Sequence, residues 1–196
     1  MDSKLATILI TNHNLEDLWL EKVLKLLPNN INIQLFFVDT ATKLVGKNIT
    51  NIPIVKLVYC AHSHRELKAP KPKANVEAGG LLDLGRMVGD SDYFLSLPKI
   101  YKPIKPVTGT KKNIGLVLNE NSKQSLEGLR VATGLAGCNH KLTIFYPNNI
   151  YHLINNSKKT PEKAKPYLEA LTHFGATFQT ALTSYNKCEC ECIIEL

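Results

Sequence analysis

The chain has 196 residues, a net charge of +7, 44% apolar residues and only 7% aromatic residues. This length can form one domain or two small ones, and the apolar share excludes a disordered chain. No stretch approaches the roughly 20 apolar residues of a membrane span, and the short apolar run at the N-terminus lacks the features of an export signal, so the chain reads as cytoplasmic and not membrane-bound.

Residues 7–11 (TILIT) form a short β-branched apolar run and predict a buried strand. Asn14 is placed to cap a helix, since Leu15, Leu18, Trp19, Val23, Leu26 and Leu27 recur at helical spacing until Pro28 and Asn29. Residues 31–38 (INIQLFFV) and 54–59 (IVKLVY) predict the next two strands, followed by a polar, proline-containing loop. Leu81, Leu84 and Val88 mark a helix over residues 80–88, with Gly89 as its stop signal, and residues 93–97 (YFLSL) predict a fourth strand. The lysine- and proline-rich residues 99–112 read as a solvated linker.

The opening pattern then returns. Residues 114–118 (IGLVL) predict a strand, and Leu126, Leu129, Ala132 and Leu135 share a helical face that Gly137 ends. Residues 141–146 (KLTIFY) predict another strand. A further helix ends at Gly175, its first turn opening at Thr160 and Pro161 or at Pro166, because an interior proline costs about 3 kcal/mol. Residues 177–182 (TFQTAL) predict a strand. The C-terminal CECECIIEL has period two, so it reads as a second strand forming a hairpin with TFQTAL, its thiols inward and Glu189 and Glu191 outward. Residues 31–45 can be laid over residues 140–154, a candidate internal duplication. The alternation of strands and helices implies an α/β fold of mostly parallel sheets in three layers, helices on both faces, in two tandem halves. The halves are residues 1–98 and 113–196, joined by 99–112.

Five cysteines, an odd and unevenly spaced set, argue against a disulfide framework. Cys60 follows a predicted buried strand and would stand at the carboxyl edge of a sheet, where such folds place their sites. His62, His64 and Arg65 are close in sequence, and nearby cations favour the thiolate, the reactive form of cysteine. YCAHSH also admits a metal site: on an extended segment Cys60, His62 and His64 share one face and could bind zinc. As a flexible tail, Cys188, Cys190 and Cys192 could instead carry sulfur or bind a soft metal such as Cu(I), and Cys138, just past a helix stop, reads as structural. Loops after the strands, with Asn12, His13 and Asn119, offer a small-ligand reading. The glycines fit no dinucleotide or phosphate-loop pattern, and no cofactor is expected. The basic segments lack aromatic interleaving and a recognition helix, which argues against nucleic acid as a partner.

The second half, over NIGLVLNENSKQSLEGLRVATGLAGCNHKLTIFYPNNIYHLI and PYLEALTHFGATFQTA, resembles the DsrE/DsrF-like sulfur-relay family. In the first half, IVKLVYCAHSHREL resembles that family's third strand ending in a cysteine, and GGLLDLGRMVGDSDYFLSL its closing helix and last strand. The resemblance implies persulfide relay on Cys60, with His62 or His64 supplying charge or a proton. It also implies sulfur donor and acceptor proteins as partners and assembly into a homo- or hetero-oligomer. The second half has Thr183 and Ser184 where a second cysteine would stand, so it would be a structural companion. A non-catalytic assembly subunit is the alternative that keeps the fold without the chemistry.

Overall fold

The structure, a computed structural model, describes residues 4–14, 19–46, 54–97, 104–118, 122–147, 162–180 and 188–195. Among them the chain runs β1 (Leu5–Ile10), α1 (Trp19–Leu24), β2 (Asn32–Phe37), a 3-10 helix (Asp39–Leu44), β3 (Ile54–Cys60), α2 (Ala61–Glu66), β4 (Glu77–Gly79), α3 (Leu81–Asp90) and β5 (Tyr93–Leu97). It continues with β6 (Asn113–Val117), α4 (Ser122–Gly137), β7 (Lys141–Tyr146), α5 (Lys165–His173), β8 (Thr177–Thr180) and β9 (Cys192–Glu195).

Among the described residues all strand pairings are parallel. One sheet has the order β4-β3-β2-β1-β5, the other β8-β7-β6-β9. Apart from β4, the first sheet's order is repeated by the second. The stretches laid over each other in the sequence supply β2 and β7, which take the same place in their sheets; residues 148–154 lie outside the described residues. Such strands are buried on both faces and so read as continuous apolar runs. On one face of the first sheet Ile8, Ile10, Leu35 and Phe37 pack with Val23 and Leu27 around α1. On the other, Leu9, Phe36, Val58 and Cys60 share a core with Leu84 and Val88 of α3, with Leu129, Ala132 and Leu135 of α4, and with Ile114, Leu116 and Ile144 of the second sheet. The α/β architecture with helices on both faces of the first sheet is therefore present, and the two sheets meet through one core. No helix among the described residues is long and apolar enough to cross a membrane.

The joint between the sheets is close. α3 packs on α4, and β5 lies beside β9, where Glu195 N–H donates to Ser96 Oγ at 3.3 Å. Gly85 of α3 and Gly134 of α4 have no side chains to hold the helices apart. A Cβ on Gly85 would lie 2.7 Å from Cys138 Cβ, and one on Gly134 would lie 2.9 Å from the Leu81 carbonyl oxygen. Cys138 is thus a packing residue, its Sγ 3.4 Å from the Leu82 carbonyl.

Four expectations are corrected and one alternative is decided. The segment after β3 is not a loop: α2 begins at Ala61 and the edge strand β4 follows. Gly89 does not stop α3, which runs on to Asp90. Of the two openings expected for the helix before β8, the one at Pro166 is found, with the proline among the first residues, where the missing N–H costs nothing. Residues 99–112 are not wholly a solvated linker: Val107 is buried, and so is Lys112, whose Nζ donates to the Ser91 carbonyl at 2.8 Å and to that of Gly109. Finally, CECECIIEL makes no hairpin with β8. Its strand starts at Cys192 and pairs in parallel with β6, across the sheet from β8. Cys192 faces the shared core while Cys190 lies with Val117, Phe145 and Ile193 on the opposite face, and Glu191 is half-buried rather than turned to solvent.

Candidate functional site at the joint of the two sheets

β3 ends at Cys60, and α2 starts at the next residue. The alternation along β3 turns Val58 and Cys60 toward the α3–α4 layer. One turn later Ser63 is the buried residue of α2. From the other half, α4 presents Glu127 and Arg130, three positions apart and so on one helical face.

These four side chains form one network. Arg130 Nε and Nη2 donate to the two oxygens of Glu127 at 2.7 and 2.5 Å. The same Nη2 donates to Ser63 Oγ at 2.9 Å and to Cys60 Sγ at 3.2 Å. Ser63 Oγ–H donates to Glu127 Oε1 at 2.7 Å. Cys60 is 0% exposed, and the Arg130 and Glu127 side chains are 11% and 16% exposed. Burial by itself raises the Glu127 carboxyl, but hydrogen bonds and charge from Arg130 and the Ser63 hydroxyl outweigh it and hold the group below the usual carboxylate range. Burial likewise works against the Arg130 cation, and the Glu127 carboxylate more than restores it, with a further contribution from Cys60. The result is a fork-shaped ion pair whose remaining Nη2–H is shared between the Ser63 hydroxyl and the Cys60 sulfur.

Above it opens a cleft of about 690 Å³ between the two halves. Ser63, Glu127 and Arg130 line it together with His62, Lys163 and Tyr167. It lies beyond the carboxyl ends of β2 and β3, where parallel sheets leave room for ligands. Asp39, which holds a positive φ of 51° just past β2, stands at the same cleft.

The sequence-predicted residues divide. Cys60 is at the sheet edge as expected, but the cation beside it is Arg130, not a neighbour in sequence. His62 is exposed in the cleft, and its charge helps lower the Glu127 carboxyl. His64 turns away, its Nε2 2.9 Å from the Pro70 carbonyl and its ring 4.9 Å from that of Tyr59. Arg65 is exposed and outside the network. Since α2 begins at Ala61, the alternation that would put Cys60, His62 and His64 on one face is lost. Among the described residues no group of three or more His, Cys, Asp or Glu is placed to hold a metal. Asn12 accepts the Asn14 N–H at 2.8 Å, making a local turn, and His13 holds a buried Nδ1 without a partner. Asn119 lies outside the described residues. Glu127, Arg130 and Ser63 escape sequence reading. The available signal was the Glu127–Arg130 spacing on a helix whose other face is apolar.

No family model and no curated protein sequence matches the chain. Among solved structures, 1-deoxy-D-xylulose 5-phosphate reductoisomerase from Zymomonas mobilis in complex with NADPH is similar over 94% of this chain, at 11% identity and a TM-score of 0.39. This chain spans 40% of that protein's length, and a likeness at this level assigns it neither cofactor nor reaction.

Proposed function

We propose that the chain is a sulfur-relay protein that carries sulfane sulfur on Cys60, with Arg130 as the cation facing that sulfur. The observation behind this reading is the 3.2 Å approach of Arg130 Nη2 to Cys60 Sγ, made across the joint of the two halves. The resemblance of both halves to the DsrE/DsrF-like family supports it. In the first step the Cys60 thiolate attacks the outer sulfur of a donor persulfide, and the donor leaves as a thiol. In the second an acceptor thiolate attacks the outer sulfur of the Cys60 persulfide and Cys60 leaves as thiolate. Neither step needs an oxidant. Arg130 opposes the negative charge on sulfur in both, and His62, the histidine that lines the cleft, is the proton source for the departing thiol. Cys60 lies one layer beneath the cleft, so Arg130 and Ser63 must swing aside to admit the donor.

The burial of Cys60 favours a second reading, in which the same four side chains only bind the halves together in a non-catalytic assembly subunit. The two separate in one experiment. Wild type, Cys60→Ser and Arg130→Lys are incubated with a low-molecular-weight persulfide, and intact mass is read alongside melting curves. Relay expects one added sulfur on wild type, none on Cys60→Ser and slowed loading on Arg130→Lys. Wild type that gains no sulfur, with variants that differ only in stability, would leave the assembly reading standing.

A further inference from the structure

The approach to β9 brings a separate pair of thiols to the face of the second sheet opposite α4. Asn113 at the start of β6 fixes this approach. Its N–H donates to Glu191 Oε2 at 2.8 Å, its carbonyl accepts from Glu191 N–H at 2.7 Å, and its Nδ2 donates to the Glu189 carbonyl at 3.1 Å. The other Glu191 oxygen accepts from Thr108 N–H at 2.9 Å and from its hydroxyl at 3.2 Å. The backbone over residues 188–191 is therefore held in place without being part of the sheet. Cys188 and Cys190 pack on the same apolar cluster and line the same cavity of about 450 Å³. Cys190 is 5% exposed and Cys188 more open, and neither is in a disulfide. Cys192 faces the main core and takes no part. Asn113 lines the cavity too.

We propose that Cys188 and Cys190 form a two-thiolate site for a soft monovalent cation, Cu(I). Thiolates select soft ions. Two donors suit an ion that accepts two ligands and do not suit zinc, which in structural sites takes four. Glu189 also lines the cavity, but among the described residues no group of three His, Cys, Asp or Glu is placed to hold a metal. Val117, Phe145 and Ile193 keep one side of the sulfurs dry, and Lys141, on the same cavity, opposes the single negative charge of a bis-thiolate Cu(I) complex. Binding releases one proton from each thiol and leaves both copper and sulfur in their oxidation states. The proposal stands apart from Cys60 and from sulfur relay.

The test is an anaerobic titration of the reduced full chain with Cu(I) against a chromophoric Cu(I) chelator, following the ultraviolet sulfur-to-copper absorption. Wild type and the Cys60→Ser/Cys138→Ser double variant should each hold one equivalent. Cys188→Ser, whose side chain is the more exposed of the pair, should melt as wild type does and lose at least tenfold in affinity, as should Cys190→Ala. Zn(II) should not compete. Full binding by Cys188→Ser, surrender of all copper to the chelator by wild type, or displacement by equimolar Zn(II) would each overturn the proposal.

Discussion

Gly134→Ala sets two physical effects against each other, and the structure decides the sign. An alanine inside a helix is better than glycine by about 0.8–1.0 kcal/mol, so helix propensity alone predicts stabilisation. Yet a Cβ at this position would overlap Leu81 Cβ and stand 2.9 Å from the Leu81 carbonyl oxygen and 3.0 Å from its carbonyl carbon. These neighbours are backbone and Cβ, which cannot rotate away, so α3 and α4 must separate. Overpacking of this kind costs about 1–3 kcal/mol, and the rigid neighbours put it at the upper end. The net expectation is a loss of about 2 kcal/mol, or about 4–8 °C in Tm at this chain length. Gly137→Ala is the control: its Cβ would meet the movable Leu82 Cδ2 at 3.3 Å, and its effect should stay within about 0.5 kcal/mol. Thermal melts and urea unfolding of the two variants measure both values. A Gly134→Ala protein as stable as wild type, or more so, would refute the close crossing. Gly134 is also one turn beyond Arg130 on α4, so the same displacement should loosen the contact with Cys60 and slow sulfur loading.

Arg130→Met leaves Glu127 as an unpaired, largely buried charge and should cost about 3–5 kcal/mol, most of it recovered in Arg130→Met/Glu127→Met; urea unfolding of the singles and the double gives the coupling. His140 is buried and neutral, its Nδ1 accepting from Lys112 N–H at 3.1 Å while Nε2–H donates to the Gly85 carbonyl at 2.8 Å. Burial, assisted by the Lys112 charge, lowers its affinity for a proton below the ordinary value of 6.5, against a smaller opposing effect of the Gly85 bond. The unfolded chain therefore binds this proton first, and stability should fall as pH drops through about 6.5, a slope that His140→Gln should flatten in urea unfolding at stepped pH. Glu127 and Glu191, both lowered, contribute stability present above the usual carboxylate value and lost at more acid pH, so the two windows separate. Lys112→Met should cost about 1–3 kcal/mol in the same assay, because the Ser91 and Gly109 carbonyls lose their donor.

β1, β2, β5, β6 and β7 were legible because each is a run buried on both faces, and β5 and β7 begin and end where the apolar pattern does. α2 was not, since AHSHRE buries a single residue, Ser63, and so carries no helical stripe. β4 has three residues with no fully buried side chain and makes its place only by pairing with β3. CECEC misled because period two says nothing about which strand is the partner. A parallel partner is remote in sequence, and β9 finds β6 rather than β8. Cys60 could be placed from its position at a strand end. Its cation could not, because Arg130 is 70 residues away and only the packing of α4 on the first half delivers it. Nearness in sequence pointed instead to the histidines, and a helix beginning at Ala61 sends successive side chains in different directions.

Apart from β4 the two sheets share one strand order, and among the described residues the network occurs once, at a place to which the two halves bring different elements. In the first half β3 runs straight into α2, which sets Ser63 above Cys60. The second half contributes from another element altogether, the long helix α4 between β6 and β7. Each half alone would hold an unsatisfied fragment: a buried thiol and hydroxyl on one side, a charge pair turned toward nothing on the other. Joining them satisfies both and leaves a cleft whose floor is made of residues from each. The joint therefore does more than stabilise. It determines that Cys60 faces a guanidinium, and any change that separates α3 from α4 acts on the sulfur and on the fold together.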